Sequence, residues 1–395
     1  MTNFLQWLLG RLPIGWLQLT HNKMRLVAAI GGVTFANILV FVQLGIMGSF
    51  NDSVRMSYGV IQGDLLISAH DSYTFREGSN IPRQWGFQAL SVPGVTAATP
   101  VFLGAAPWAR PNGSSIVFQV VGIDPTRPEF MGAGVRDTRS LLVADTAFVD
   151  RLTRNLDPEL IDDLSMNKPL TLEVMNRQIK VIDTISIGLG FAGDGYLMLS
   201  DQNFMRMFPN RSLGAANHVL LALDPNAESH TVITALKKLL PEETLRIRTL
   251  DEAIAQEISY QTTKRPTGLI FGFGVAIGII VGLVIVYQVL STDVADHMIE
   301  YATFKAMGYS QKFLLGIVFE EAVILALAGF LPGVMISTAI YSVLAKATNL
   351  PIEMTVSRAA MVFVGTLLSC MISGAIATRR LASADPARRC RADTL

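Results

Sequence analysis

The stretch PTGLIFGFGVAIGIIVGLVIVYQVLST, residues 266–292, contains no Asp, Glu, Lys, Arg or His. Wound as a helix with about 1.5 Å of rise per residue, such a run exceeds the roughly 30 Å hydrocarbon core of a bilayer. A helix is the form expected, because it satisfies its own backbone polar groups in lipid. Three further charge-free runs reach spanning length: Leu26–Asn51, Ala322–Ala345 and Ala359–Thr378. The sequence therefore predicts four transmembrane helices near 25–49, 267–291, 313–343 and 358–379. Half of the 395 residues are hydrophobic and 16% are charged, which suits a few spans joined to a sizeable polar domain.

Lys and Arg near the span ends give the orientation. Arg11, Lys23 and Arg25 precede the first run without an acid, and Arg379, Arg380, Arg388, Arg389 and Arg391 follow the last. Only Lys346 and Arg358 lie in the 344–357 connection. Excess cationic residues mark the cytoplasmic side. Both termini are thus expected in the cytoplasm of an inner, plasma-type membrane, with residues 50–264 and the short loop 344–357 periplasmic. Residues 292–312 would return to the cytoplasm, where the tail 380–395 also lies. Residues 1–24 are too short and too interrupted to cross; Trp7, Leu8, Trp16 and Leu19 suit an elbow helix lying on the membrane surface, in contact with its lipids. The fold class expected is a membrane α-helical protein with a large α+β periplasmic domain inserted between helices 1 and 2.

Within that insertion, DLLIS, VTAATPVFL, SSIVFQVVGI, LTLEVMNRQIKVIDTISI, GYLMLS and NHVLLAL read as strands from their β-branched content and turn-rich borders. AESHTVITALKKLLP and TLDEAIAQEISYQTTK read as helices. Residues 125–215 are a candidate second lobe. Both cysteines, Cys370 and Cys390, fall outside 50–264, so that domain must be held by its core rather than by disulfides.

No catalytic constellation emerges. The chain lacks the G-x-x-x-x-G-K-[ST] pattern of a nucleotide-binding P-loop. GLGFAGDG, residues 188–195, reads as a turn and not as a dinucleotide loop, since no helix opens after its last glycine. The five histidines are scattered without a metal-ligand spacing, and Asp162 with Asp163 reads as a solvated acidic pair. Neither a cofactor, a metal nor a nucleic-acid partner is expected. Two polar features inside the spans stand out. Glu320 and Glu321 are acids within the third run, where charge is costly and normally faces protein or water. Gly274, Gly278 and Gly282 recur every fourth residue on one face of the second run, which permits close helix packing.

The connection HMIEYATFKAMGYSQKF, residues 297–313, is written as an amphipathic helix rather than a bare turn. Asp293, Asp296, His297 and Glu300 form one acidic stripe, Lys305 suits the C-terminal end of the helix dipole, and Gly308 suits the residue just beyond it. Here the chain resembles the FtsX/MacB-type permeases of ABC transporters, and more narrowly the DevC group of cyanobacterial exporters associated with heterocyst glycolipid. The resemblance is carried by DVADHMIEYATFKAMGYSQKFLLGIVFEEAVILALAGFLPG, by PIGWLQLTHNKMRLVAAIGGVTFANILVFVQLG near the start, by SGAIATRRLASADPA near the end and by FAGDGYLMLSDQNF. It implies a homodimeric permease subunit, without enzymatic activity of its own, driven by a separate cytoplasmic ABC ATPase that consumes ATP. It implies a periplasmic membrane-fusion adaptor and, indirectly, an outer-membrane tunnel protein. The ATPase contact would fall on His297, Glu300, Tyr301, Lys305, Met307 and Gly308. The implied function is export of a lipid-like or amphiphilic substrate, with glycolipid as one candidate, by motion transmitted to the periplasmic domain. The alternative from another class is an FtsX-like regulator that passes the same motion to a cell-wall hydrolase without transport.

Overall fold

The computed structural model describes residues 13–110, 113–132, 135, 137–165, 170–188, 190–348 and 350–383. The expected start of the elbow, with Trp7 and Leu8, and the tail past Ser383 lie outside them. The chain forms two compact units, an apolar one within Met1–Met47, Leu269–Ala347 and Ile352–Leu395, and a polar one within Gly48–Gly268 and Thr348–Pro351. Helix α1 (Ile14–His21) and helix α2 (Lys23–Tyr58) open the chain.

In the polar unit a nine-stranded mixed sheet takes the order β11-β1-β10-β3-β4-β8-β5-β7-β6. The strands are β1 (Leu65–Ala69), β3 (Val95–Ala109), β4 (Ser115–Ile123), β5 (Thr146–Asp150), β6 (Leu170–Val174), β7 (Arg177–Ile185), β8 (Gly195–Ser200), β10 (His218–Leu223) and β11 (Leu245–Thr249). A two-stranded ribbon pairs β2 (Ile81–Pro82) with β9 (Ala215–Ala216). Among the described residues five α-helices accompany the strands: α3 (Gln84–Ala89), α4 (Pro158–Ser165), α5 (Asp201–Met207), α6 (Ser229–Leu239) and α7 (Leu250–Thr263). LTLEVMNRQIKVIDTISI is a hairpin of β6 and β7. Met175 (φ 51°) and Asn176 (φ 59°) are both left-handed at its two-residue turn, the conformation that matches the twist of the paired strands. The stretch 125–215 does not build a sheet of its own: β8 pairs parallel with β4, so its strands extend the same sheet. Strands β5 and β11 go beyond the sequence reading. TAFVD is short, and LRIRT carries two arginines where an apolar run would be sought.

Local sequence fixes the entry points of the helices. Ser200 Oγ accepts from Asn203 N at 3.1 Å and so caps α5. Thr249 and Glu252 form a reciprocal capping box at the start of α7. Inside, Tyr58, Phe75, Phe130, Phe148 and Tyr196 share one buried cluster with sheet residues. A polar seam runs through it: Glu257 on α7 accepts from Tyr58 Oη at 3.0 Å and from Phe75 N at 2.7 Å.

The apolar unit adds α8 (Pro266–Asp296), α9 (Met298–Ala306), α10 (Gln311–Thr348) and α11 (Val356–Ser383). Among the described residues four helices are long and apolar enough to cross a membrane: Lys23–Tyr58, Gly268–Asp296, Gln311–Thr348 and Val356–Ala377. Glycine sets how closely they approach. A Cβ on Gly274, Gly278 or Gly282 would lie 2.5 Å from Gln43 Cδ, 2.9 Å from Val40 Cγ2 or 3.1 Å from Ala36 Cβ. The opposed numbering makes α8 antiparallel to α2. Gly329 against Val33 and Gly333 against Asn37 make α10 parallel to α2 by the same reading. Buried hydroxyls add hydrogen bonds between helices: Thr366 Oγ1 donates to Asn37 Oδ1 at 2.6 Å and Ser373 Oγ to Leu283 O at 3.0 Å.

Candidate functional site: a supported helix between α8 and α10

Helix α8 ends at Asp296, and His297 (φ −93°, ψ 14°) breaks the helical path before α9. The acidic stripe expected on one helix is therefore split. Asp293 is buried on α8, while Glu300 lies exposed on α9. At the far end Gly308 (φ 92°) takes the left-handed conformation that suits glycine, its N–H donating to Lys305 O at 3.1 Å. Phe304, Tyr309 and Phe313 then close the turn into α10, with ring centroids 4.6–6.0 Å apart.

Helix α1 supports this segment. Gln18 Nε2 donates to Glu300 Oε2 at 3.0 Å, and Tyr301 Oη donates to Gln18 Oε1 at 3.3 Å. Gly15 packs directly on α10: a Cβ there would lie 2.9 Å from Ile317 O and 3.0 Å from Glu321 Cγ. Arg25, at the start of α2, places Nη1 2.5 Å from Asp296 Oδ2 and 3.7 Å from Asp293 Oδ1, and Nη2 donates to Val289 O at 3.3 Å. His297 Nδ1 lies 3.7 Å from Asp293 Oδ2. Gln18, His21, Arg25, Asp293, Asp296 and Glu300 line a cleft of about 520 Å³.

The six residues expected to meet an ATPase divide in two. Glu300, Lys305, Met307 and Gly308 are exposed, and His297 is half-buried. Tyr301 is placed differently: only 1% exposed, it packs among Val294, Leu314, Ile317 and Val318 and presents almost no surface. Burial, and then the negative charge of Glu321, Asp293 and Glu300, holds its phenol well above the usual range. It is a neutral hydrogen-bond donor fixing α9 from below. The most exposed apolar side chain of the segment is Ile299, at 79%, with Met307 at 60% and Tyr309 at 46%.

The intramembrane acids also differ from each other. Glu320 accepts from Trp16 N at 3.4 Å. Glu321 is fully buried on α10, and neither of its carboxylate oxygens meets a donor among the described residues; Asp293 Oδ2 has none either. Among the described residues no group of three or more His, Cys, Asp or Glu is placed to hold a metal.

Sequence reasoning missed Gln18, Gly15 and the pairing of Arg25. Arg25 was legible only as a topology charge, because its partners stand some 270 residues away in the chain. Gln18 carries no signal of its own: it is one polar residue in an apolar leader.

Several solved structures are similar in part. The periplasmic region of MacB from Actinobacillus actinomycetemcomitans is 15% identical, covering 51% of this chain and 94% of that one, with a TM-score of 0.32. The extracellular domain of the noncanonic ABC-type transporter YknZ from Gram-positive bacteria is 10% identical, covering 47% and 98%, with a TM-score of 0.33. A domain of a putative permease protein from Porphyromonas gingivalis is 15% identical, covering 49% and 90%, with a TM-score of 0.30. No curated protein matches the chain. Residues 272–386, the segment that contains α9 and its turn, match the family described as FtsX-like permease C-terminal.

Proposed function

We propose that the chain is the permease subunit of an ATP-driven exporter, with a separate cytoplasmic ATPase docking on α9 and the turn that follows it. The observation that carries the reading is a short helix with an outward apolar face, Ile299 and Met307, anchored from beneath by buried Tyr301. A docking element must be exposed to meet its partner and rigid to take load from it; this segment has both properties. The FtsX-like match over 272–386 supports a permease-like role for the same segment. ATP would then be bound and hydrolysed by the partner, consistent with the lack of a P-loop pattern in this sequence.

In this proposal two copies assemble, and the work of the ATPases moves the polar units to drive a lipid-like or amphiphilic substrate outward. A periplasmic membrane-fusion adaptor and an outer-membrane tunnel would receive it. Glycolipid is the narrower substrate suggested by the DevC-like motifs. Substituting Ile299→Asp together with Met307→Asp tests the docking surface. Both side chains are exposed, so the thermal midpoint in detergent is expected to hold. Recovery of the ATPase with the permease from solubilised membranes is expected to fall at least about tenfold, equivalent to ~1.4 kcal/mol of binding. Wild-type recovery would remove α9 as the docking site. Mass spectrometry of the proteins recovered with the unaltered chain separates an exporter, accompanied by an adaptor, from a regulator accompanied by a cell-wall hydrolase.

A further inference from the structure

The turn GLGFAGDG has no part in the proposed docking, yet the structure gives it an unusual construction. Gly188 (φ 75°) and Gly190 (φ 57°) are both left-handed. A Cβ on Gly188 would stand 2.4 Å from Met56 Cε, and one on Gly190 would stand 1.9 Å from Ser53 Oγ, so the turn is pressed onto the last turns of α2. Asp150 fixes it from the other side, accepting from Gly188 N at 2.6 Å and Ile187 N at 3.2 Å, while Arg154 donates to Gly190 O. The effect is to hold Phe191 outward. Its ring is 39% exposed and lies 5.8 Å from that of Phe50, and Leu152, against Gly188, is 49% exposed.

The depth of this patch along α2 follows from counting. Arg25, bound to Asp296 and Asp293, marks the polar end of the helix, and no charged residue follows until Asp52. Phe50 lies 25 positions beyond Arg25, about 37 Å along a helix axis, against about 30 Å of hydrocarbon and 40–45 Å with head groups. That distance falls within the head-group layer, where exposed Phe and Leu side chains bury their apolar surface at the boundary with the acyl chains.

We infer that Phe50, Phe191 and Leu152 form a membrane-interface contact of the polar unit, with the bilayer's own lipid head-group layer as the occupant. The turn's left-handed glycines and its ties to Asp150 and Arg154 serve to set the level of Phe191. The inference rests on the reading that α2 crosses a bilayer.

The test uses the full chain in lipid nanodiscs, with Cys390→Ser to leave only buried Cys370. Nitroxide labels are placed singly through Phe191→Cys, Leu152→Cys, Phe35→Cys and Phe87→Cys. Collision with oxygen, which concentrates in lipid, is compared with collision with a water-soluble nickel chelate. Phe35, exposed on α2, should report lipid, and Phe87, exposed on α3 of the polar unit, should report water. The expected result puts Phe191 and Leu152 both between them. Lipid at 35 with a water signal at 191 equal to that at 87 overturns the interface contact and leaves the spanning helix intact. Water at both 35 and 191 overturns both readings. Because 191 and 152 are exposed, both labels should leave the fold unchanged, and agreement between them guards against a local artefact of either.

Discussion

At the scale of single residues, two buried groups carry definite expectations. His218 stacks on Phe75 with centroids 5.2 Å apart, and its Nε2 donates to Phe75 O at 2.7 Å. Burial first, then the charge of Arg248, lowers its pKa from 6.5 to about 4. The folded state thus holds the ring neutral. The stability this supplies is complete above pH 6.5 and is lost as pH falls toward 4, by about 3 kcal/mol. Glu257 and Asp150, whose carboxyls are pushed up chiefly by burial, contribute with the opposite sign. The useful quantity is therefore the difference between the unaltered chain and His218→Phe: thermal midpoints of the two should converge as the pH drops through this window. Parallel curves would mean that His218 is not buried neutral. Glu321 offers the second test. With neither oxygen meeting a donor, Glu321→Gln, which brings a donating amide of the same size, should leave the midpoint unchanged or raise it, whereas Glu321→Ala opens a cavity and should lower it by about 2 kcal/mol or more. Tyr301 shows where the sequence falls short at this scale. It follows exposed Glu300 on a short helix, and the resemblance alone set it at the ATPase contact; only the fold places it with Leu314, Ile317 and Val318.

At the scale of elements, the glycine face of α8 makes a graded prediction. Gly278→Leu drives side-chain atoms against Val40 and should cost about 1–3 kcal/mol, read as a lower thermal midpoint in detergent. Gly272→Leu is the control, since a Cβ there meets nothing within 4 Å, and its midpoint should hold. Helix α1 can be tested in the same manner. Gly15→Leu should lift α1 from α10, loosen Gln18 from Glu300 and Tyr301, and weaken ATPase recovery without any change on the exposed face of α9. The four apolar helices were legible because each needs only a local run without charge. The two strands of the nine-stranded sheet that escaped notice, β5 and β11, are short, and LRIRT owes its place to nonlocal pairing: Arg248, in the middle of a sheet edge, is buried and donates to Ser68 Oγ at 2.7 Å. Local composition cannot announce a guanidinium held by Ser68 on a neighbouring strand and Gln256 on α7.

At the scale of the whole molecule, the strand order was out of reach of any reading by neighbours. The sheet brings β11 beside β1 and β8 beside β4, pairings set by long-range contacts rather than by sequence adjacency. What sequence could supply was the division of labour between charge-free runs and a polar stretch. The proposed arrangement in the membrane has its own measurement. Labelling of single cysteines with an impermeant maleimide in intact cells should modify positions within Leu65–Thr249 and spare Ile299 and Met307, which should react only after permeabilisation. Reaction at Ile299 in intact cells would end the proposal that α9 meets a cytoplasmic ATPase.

Two of the helical passages between the apolar and polar units are not alike. Helix α2 runs unbroken from Lys23 to Tyr58, whereas α7 stops at Thr263 and α8 starts at Pro266, leaving Lys264 and Arg265 between them. Pro266 holds the first position of α8, where its missing N–H is one that a helix start leaves unpaired in any case, and its fixed φ suits the opening turn. The joint is also closed: a Cβ on Gly268 would stand 2.4 Å from Thr262 Cα and 2.5 Å from Gln261 O, so α8 opens hard against the end of α7 and only glycine leaves room for it.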